Sequence, residues 1–349
     1  MATTFRVGVT RDLLPHRDTL GPTGVGLDVL DAADGVEWEF IAERVDSLRP
    51  SDIAPYDALF VLGCGVPAES LDVADKLSIV ARFGVGYDRV DVDACTRNGV
   101  LLTITPDGVR RPVASSAMAF ILALAHKLHV KDRLAREVNW ADRADHMGTG
   151  LTGRTLGVVG LGNIGRELCD LARPFGMRYV AYDPYADPDL ARASGVELVG
   201  KDDLLATSDF ICITCQLTDE TRHMIDASAL SLMKETAYLI NVARGPIVHQ
   251  PSLVTALQDG TIQGAALDVF DPEPPDPNDP ILALENVILA PHAVCWTDEC
   301  FRGVGRSACT AIADVASGRP PRNVVNRAAL DNPRLIDRLR RYASRQQTT

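Results

Sequence analysis

Residues 154–183, RTLGVVGLGNIGRELCDLARPFGMRYVAYD, leave the chain few folds to choose from. Leu156–Val159 is a short, mostly apolar run. It ends in the turn Gly160-Leu161-Gly162-Asn163-Ile164-Gly165, which opens a helical pattern carrying Leu168, Leu171, Ala172 and Phe175. Gly176 stops that helix, and Arg178–Tyr182 reads as a second strand ending at Asp183. Strand, glycine turn, helix and strand in this order form the βαβ unit in which a GxGxxG sequence cradles a dinucleotide. Gly160 permits the tight turn, Gly162 lets the backbone approach a pyrophosphate, and Gly165 lets the helix pack close to the strand. The first helical residues, Asn163 and Ile164, bring unpaired amides and a partial positive charge toward the anion. Asp183 follows about 20 residues on, where a carboxylate accepts from ribose hydroxyls and repels a 2′-phosphate. NAD is therefore expected rather than NADP.

The chain of 349 residues is long enough for two domains, each with its own core. Hydrophobic residues make up 46% and charged residues 23%, the balance of a soluble globular protein. The most apolar helix pattern, Ala114–Leu128, is shorter than the roughly 18 residues that span a membrane, and it reads as a core helix. The N-terminus enters a strand pattern directly, without a charged-then-apolar leader, so a cytoplasmic location is expected. A formal charge of −12 and the lack of a basic stripe argue against a nucleic-acid partner. No His, Cys and carboxylate spacing calls for a metal. Cys212-Ile213-Thr214-Cys215 has redox spacing, but it lies on a strand, where side chains three apart face opposite ways. It reads as buried small residues.

The rest of the chain alternates strand and helix. Phe5–Val9, Trp38–Ile41, Ala58–Gly63, Ser78–Phe83 and Gly99–Ile104 are expected strands of a first α/β unit. The Gly84-Val85-Gly86 loop at the end of one of them either merely turns or presents bare amides to a small anion. Asp107–Pro112 reads as a polar connector, Val130–Trp140 as an amphipathic helix and residues 141–150 as a loop. After Asp183, strands are expected at Gly195–Leu198, Phe210–Thr214, Ala237–Val242, Gly264–Val269 and Asn286–Leu289. Apolar strands alternating with helices imply doubly wound parallel sheets, with ligands outside the carboxyl ends of the strands.

Three of those ends deliver Arg244, Glu273 and His292. A histidine takes and returns a proton near neutrality, so His292 is the candidate acid–base. Glu273 would hold the far ring nitrogen and stabilise the protonated imidazole. Arg244 would clamp a carboxylate with paired hydrogen bonds and polarise the neighbouring carbonyl. Asp268 stands where it would accept from a nicotinamide carboxamide. Taken singly, each is also an ordinary strand-end residue; their shared edge beside the dinucleotide turn is what groups them. The other histidines, His16, His126, His129, His146, His223 and His249, read as structural.

VGLGNIGRELCDLARPFGMRYVAYDP, NVARGPIV, GAALDVFDPEPP and NVILAPH resemble the successive signatures of the D-isomer-specific 2-hydroxyacid dehydrogenases, and ARFGVGYDRVDVDAC resembles that family's substrate loop. The likeness covers about residues 55–325. It implies two Rossmann-like domains with the cofactor domain inserted in the other: 1–105 and 298–349 as substrate domain, 106–297 as NAD-binding domain. It implies Arg244, Glu273 and His292 as the catalytic set, and the amides of Val85 and Gly86 as holders of the substrate carboxylate. Cofactor contacts follow at Gly160, Gly162, Asn163, Ile164, Gly165, Asp183, Gln216, Thr218, Thr221, Ala243 and Asp268. The active site would lie in the cleft between the domains, and homodimerisation is the family habit.

Departures narrow the reading. Gln216 stands where family members often have proline, Ser115 where they have glutamate, and His249 where they have aspartate. Gly63–Pro67 offers none of the cationic side chains of phosphoglycerate-type members, and no regulatory domain precedes the end at Thr349, so a phosphorylated substrate is disfavoured. Ala293–Trp296 replaces a small, glycine-rich stretch. There Trp296 either closes an apolar side of the substrate pocket or belongs to a core or interface. This stretch and Asp183-Pro184-Tyr185 bear some likeness to the C-terminal binding proteins, which are transcriptional corepressors. The expected function is thus an NAD-dependent interconversion of a small, unphosphorylated D-2-hydroxy acid and its 2-keto acid. An NAD-sensing corepressor-like binding protein is the alternative. Formate oxidation is weakened because Glu273 stands where formate enzymes of this fold have glutamine. The basic tail helix LIDRLRRYASR is expected to lie on the surface or dock a dimer partner.

Overall fold

Two parallel sheets carry the chain. Strands β1 (Phe5–Val9), β2 (Val36–Phe40), β3 (Ala58–Val61), β4 (Ile79–Arg82) and β5 (Leu101–Thr103) pair in the order β2-β1-β3-β4-β5. Strands β6 (Thr155–Val159), β7 (Arg178–Tyr182), β8 (Glu197–Leu198), β9 (Phe210–Ile213), β10 (Tyr238–Asn241), β11 (Gly264–Leu267) and β12 (Val287–Leu289) pair in the order β12-β11-β10-β9-β6-β7-β8. The computed structural model describes residues 4–13 and 24–346; His16 lies outside them. Every anticipated strand is present, with its ends within two residues of those expected. Runs such as Ala58–Val61 and Phe210–Ile213 are buried at every position, as strands covered on both faces must be.

The chain divides into two compact units. One takes the described residues up to Val109 together with those from Trp296 onward; the other is Arg110–Cys295. The first sheet has the flavodoxin-like order, and the second has the Rossmann order with an added edge strand. In the second sheet the winding reverses between β6 and β9, and the glycine turn leaves β6 at that point. Alternate strand residues feed the two layers of this unit. Leu156 and Val158 pack with Ile121, Leu124 and Leu168 on one face, and Val159, Ile211 and Leu239 pack with Leu204, Leu230 and Leu253 on the other.

Two expectations change. The stretch Asp107–Pro112 is not a connector but the start of a 20-residue helix, Pro106–Ala125. Pro106 pre-sets the first helical φ. Gly108 packs so close to Gly303 and Val304 that a Cβ would lie 2.5 Å from the Val304 nitrogen, and this contact holds the first turn in place despite Pro112 inside the helix. The helix is long and apolar enough to cross a membrane, but Ala117, Ile121 and Leu124 are buried in the core of its own unit. Residues 142–146, expected as loop, form a 3₁₀ turn.

The basic tail forms the expected amphipathic helix on the surface. Helix Pro333–Gln346 docks on its own unit: Leu335, Arg338 and Tyr342 are buried, and Tyr342 meets Phe5 edge-on at 4.9 Å. Its hydroxyl donates to Asp57 Oδ1 at 3.0 Å, and Arg338 donates to the carbonyls of Asp75, Asn98 and Gly99. Charge pattern alone concealed this, because an arginine surrounded by carbonyl oxygens can be buried.

All eight cysteines are free. Burial pushes the thiols of Cys64, Cys95 and Cys169 up to about 12 and that of Cys215 to about 11, so these are packing residues.

Candidate active site

The glycine turn has the shape its sequence implies. Gly160 adopts φ +96°, and a Cβ there would meet Cys215 Cα at 2.6 Å. Gly165 lies against the Gly160 carbonyl and Val158, where no side chain fits. Gly162, by contrast, has open space where its Cβ would be, and it is the N-cap of the helix Asn163–Ala172. Gly162 and Asn163 are exposed, and Ile164 is half-buried. The helix therefore offers its first amides beside an uncrowded backbone, a fit for a pyrophosphate. Asp183 is tied to the same turn: Oδ2 accepts from the Leu161 amide at 2.8 Å and Oδ1 from the Tyr185 amide at 2.9 Å. A carboxylate has about four acceptor positions, so ribose hydroxyls can still be bound. Tyr182, Asp183, Pro184, Leu198, Val199 and Gly200 line a shallow groove there. Across the switch point, Thr221 closes a turn by donating to the Gln216 carbonyl at 2.8 Å and accepting from the Thr218 amide at 2.7 Å.

Beyond β10, β11 and β12 the structure brings Arg244, Glu273 and His292 to one edge. Buried Asn241 shapes the first turn, accepting from the Ala243 amide and donating to the Arg244 carbonyl at 2.9 Å. Gly245 abuts the Phe270 carbonyl so closely that only glycine fits. Glu273 stands on a turn with two cis prolines, Pro272 and Pro274. Its Oε1 accepts from the Phe270 amide at 2.9 Å, and its Oε2 meets His292 Nδ1 at 2.8 Å. Burial by itself would push the Glu273 carboxyl up. The hydrogen bond and charge of His292, with the Phe270 amide and Arg244 guanidinium, outweigh it and hold the group below its ordinary value.

His292 has φ +52°, a left-handed backbone that a histidine rarely adopts. Its amide donates to the Asp268 carbonyl at 2.8 Å. Asp268, 4% exposed at the end of β11, accepts from the Ala293 and Val294 amides through Oδ1 at 2.9 and 3.0 Å. Burial pushes the Asp268 carboxyl up despite these amides. Expected as a cofactor ligand, Asp268 also braces the loop that presents His292. With Nδ1 engaged by Glu273, Nε2 is the ring nitrogen left for proton exchange.

Residues 118–293 match the model of the D-isomer specific 2-hydroxyacid dehydrogenase NAD-binding domain. A glyoxylate reductase of Korarchaeum cryptofilum is 41% identical over 264 residues, which are 75% of this chain and 80% of that one. A D-3-phosphoglycerate dehydrogenase of Methanocaldococcus jannaschii is 38% identical over 85% of this chain and 55% of its own length. The chain belongs to the D-isomer-specific 2-hydroxyacid dehydrogenase family. Among solved structures, a D-lactate dehydrogenase of Aquifex aeolicus complexed with NAD and lactic acid superposes with a TM-score of 0.80 at 27% identity, covering 92% of this chain and 99% of that one. As a member of this family the protein is an NAD-dependent oxidoreductase, and the corepressor-like reading is not favoured.

In this dehydrogenase the other expected residues lie in the first unit. Val85 and Gly86 are half-buried in the loop after β4, and among the described residues none is an acceptor for their amides. Trp296 is 51% exposed, its indole edge-on to Phe301 at 5.2 Å, and Phe301 in turn meets Phe83 at 5.1 Å. Sequence reasoning missed Asn241 and the bracing by Asp268. Only the Asn-x-x-Arg spacing of NVARG hinted at the first.

Proposed function

We propose that this dehydrogenase reduces a small, unphosphorylated 2-keto acid, of the glyoxylate, hydroxypyruvate or short sugar-acid type, to the D-2-hydroxy acid, as a cytoplasmic homodimer. The observation that carries the chemistry is the 2.8 Å pair between His292 Nδ1 and Glu273 Oε2, which, with a smaller contribution from Arg244, holds the Glu273 carboxyl below its ordinary value. NADH, when bound through Gly160–Gly165, Asp183, Thr218, Thr221 and Ala243, supplies the hydride. His292 delivers a proton from Nε2 to the carbonyl oxygen in reduction and takes it back in oxidation. Glu273 keeps the imidazole oriented and offsets its charge. Arg244 binds the carboxylate and polarises the carbonyl, and the amides of Val85 and Gly86 share the carboxylate.

The substrate class is supported by the relatives named glyoxylate reductase and by the Gly63–Pro67 loop, which has no cation for a phosphate. Trp296 is assigned as the apolar wall for the substituent on C2. Leu128, Val138, Trp140 and Met147 expose 60, 76, 64 and 80% of their surfaces within 20 residues of the NAD-binding unit, and this supports a partner copy there.

A panel of 2-keto acids tests the proposal, with NADH and NADPH oxidation followed optically in the parent and in Trp296→Ala. NADH oxidation is expected with glyoxylate and hydroxypyruvate, and phenylpyruvate should gain about tenfold when the indole is removed. Preference for a phosphorylated acid, or no oxidation with any, would refute it.

A further inference from the structure

Arg82 is 7% exposed where β4 enters the Gly84–Gly86 loop. Burying an ionised group is costly unless acceptors surround it. Its acceptors include loop carbonyls: Nε donates to the Gly86 carbonyl at 2.9 Å, and Nη1 donates to the Leu62 carbonyl just ahead of the Gly63–Val66 loop. The near end of the loop is held by Thr105, whose amide donates to the Gly84 carbonyl at 3.0 Å and whose hydroxyl accepts from the Gly84 amide at 3.0 Å. In a trans peptide the C=O and N–H point in opposite directions. With the Gly84 carbonyl turned to Thr105, the Val85 amide is turned away from it. Gly84 itself takes φ +128°, which only glycine adopts readily.

We propose that Arg82 is a positioning residue for substrate-carboxylate binding. It pins the far end of the loop, so that the Val85 and Gly86 amides stay aimed at the carboxylate, and it places a fixed positive charge behind them. Amides in a fixed concave loop bind an anion without reorganising, and a buried cation beneath strengthens the attraction in a medium less screening than water. The inference rests on the assignment of Val85 and Gly86 in the proposed function and adds a side chain that does not touch the substrate.

The test compares the parent with Arg82→Lys, Arg82→Gln and Val85→Pro, the last of which deletes one amide donor. Steady-state constants for glyoxylate, inhibition by oxalate and NADH affinity by fluorescence are measured for each. Arg82→Gln is expected to raise the glyoxylate KM and the oxalate inhibition constant at least tenfold, while kcat and NADH affinity stay within about twofold. Arg82→Lys should recover part of the oxalate affinity. If Arg82→Gln does not fold, a rise of threefold or more in Arg82→Lys carries the proposal. Oxalate affinity unchanged in the folded Arg82 variants but weakened in Val85→Pro would overturn the role of Arg82 and leave the loop assignment standing. Unchanged affinity in Val85→Pro, or no 2-keto acid reduction by the parent, would overturn the underlying reading and this inference with it.

Discussion

Asp268 fixes the conformation of His292 from two sides: its carbonyl takes the His292 amide at 2.8 Å, and its carboxylate takes the next two amides, of Ala293 and Val294. A left-handed histidine costs on the order of 1 kcal/mol or more, and it persists because these bonds leave no alternative. The backbone of the proposed acid–base residue is thereby placed from the end of a neighbouring strand.

His292→Asn separates chemistry from that backbone, since asparagine tolerates the left-handed region better than alanine does. Turnover is expected to fall by about 10² to 10⁴-fold, with NADH binding by fluorescence unchanged. Asp268→Ala should act differently. It leaves two amides without their acceptor, at about 1–3 kcal/mol each, so both thermal midpoint and kcat drop. A His292→Asn enzyme with parental turnover would remove His292 from its role.

The Glu273–His292 pair makes a prediction about pH. The Glu273 carboxyl is held below its ordinary value, so its ionised form adds stability above that value, and the contribution is lost as pH falls through the lower folded value. Thermal midpoints measured from pH 6 to 3 should therefore decline less steeply in Glu273→Gln than in the parent. Parallel curves for the two proteins would contradict the coupling.

Asp183 is the residue proposed to set cofactor choice. Asp183→Asn can keep an acceptor for the Leu161 amide yet sheds the charge that repels a 2′-phosphate. The parent should favour NADH, and the variant should shift the ratio of kcat/KM values toward NADPH by about tenfold. A parent that prefers NADPH would end this account of the site.

The exposed apolar residues between Leu128 and Met147 predict assembly. Light scattering should give twice the chain mass of 37.6 kDa, and Trp140→Glu combined with Met147→Glu should shift it toward the single chain. A parent that stays monomeric at micromolar concentration would argue against the dimer.

Much of this was legible beforehand. The twelve strands among the described residues were all expected, most of them as apolar runs, the glycine turn has its implied conformation, and Arg244, Glu273 and His292 reach one edge because consecutive parallel strands must end together. The tail helix shows where such reading stops. Arg338 looks like a surface charge until the carbonyls of Asp75, Asn98 and Gly99 surround it.

The sequence by itself determined the class of fold, the cofactor cradle and the order in which the chemical residues appear, because period, glycine placement and strand alternation act over a few residues. Tertiary structure alone decided that Pro106 begins a helix against Gly303 and Val304, that Arg82 lies buried under the Gly84–Gly86 loop, and that His292 is left-handed. Each of these depends on a partner that no local pattern encodes, whether it is a packing surface, a set of carbonyls or the amide acceptors of Asp268.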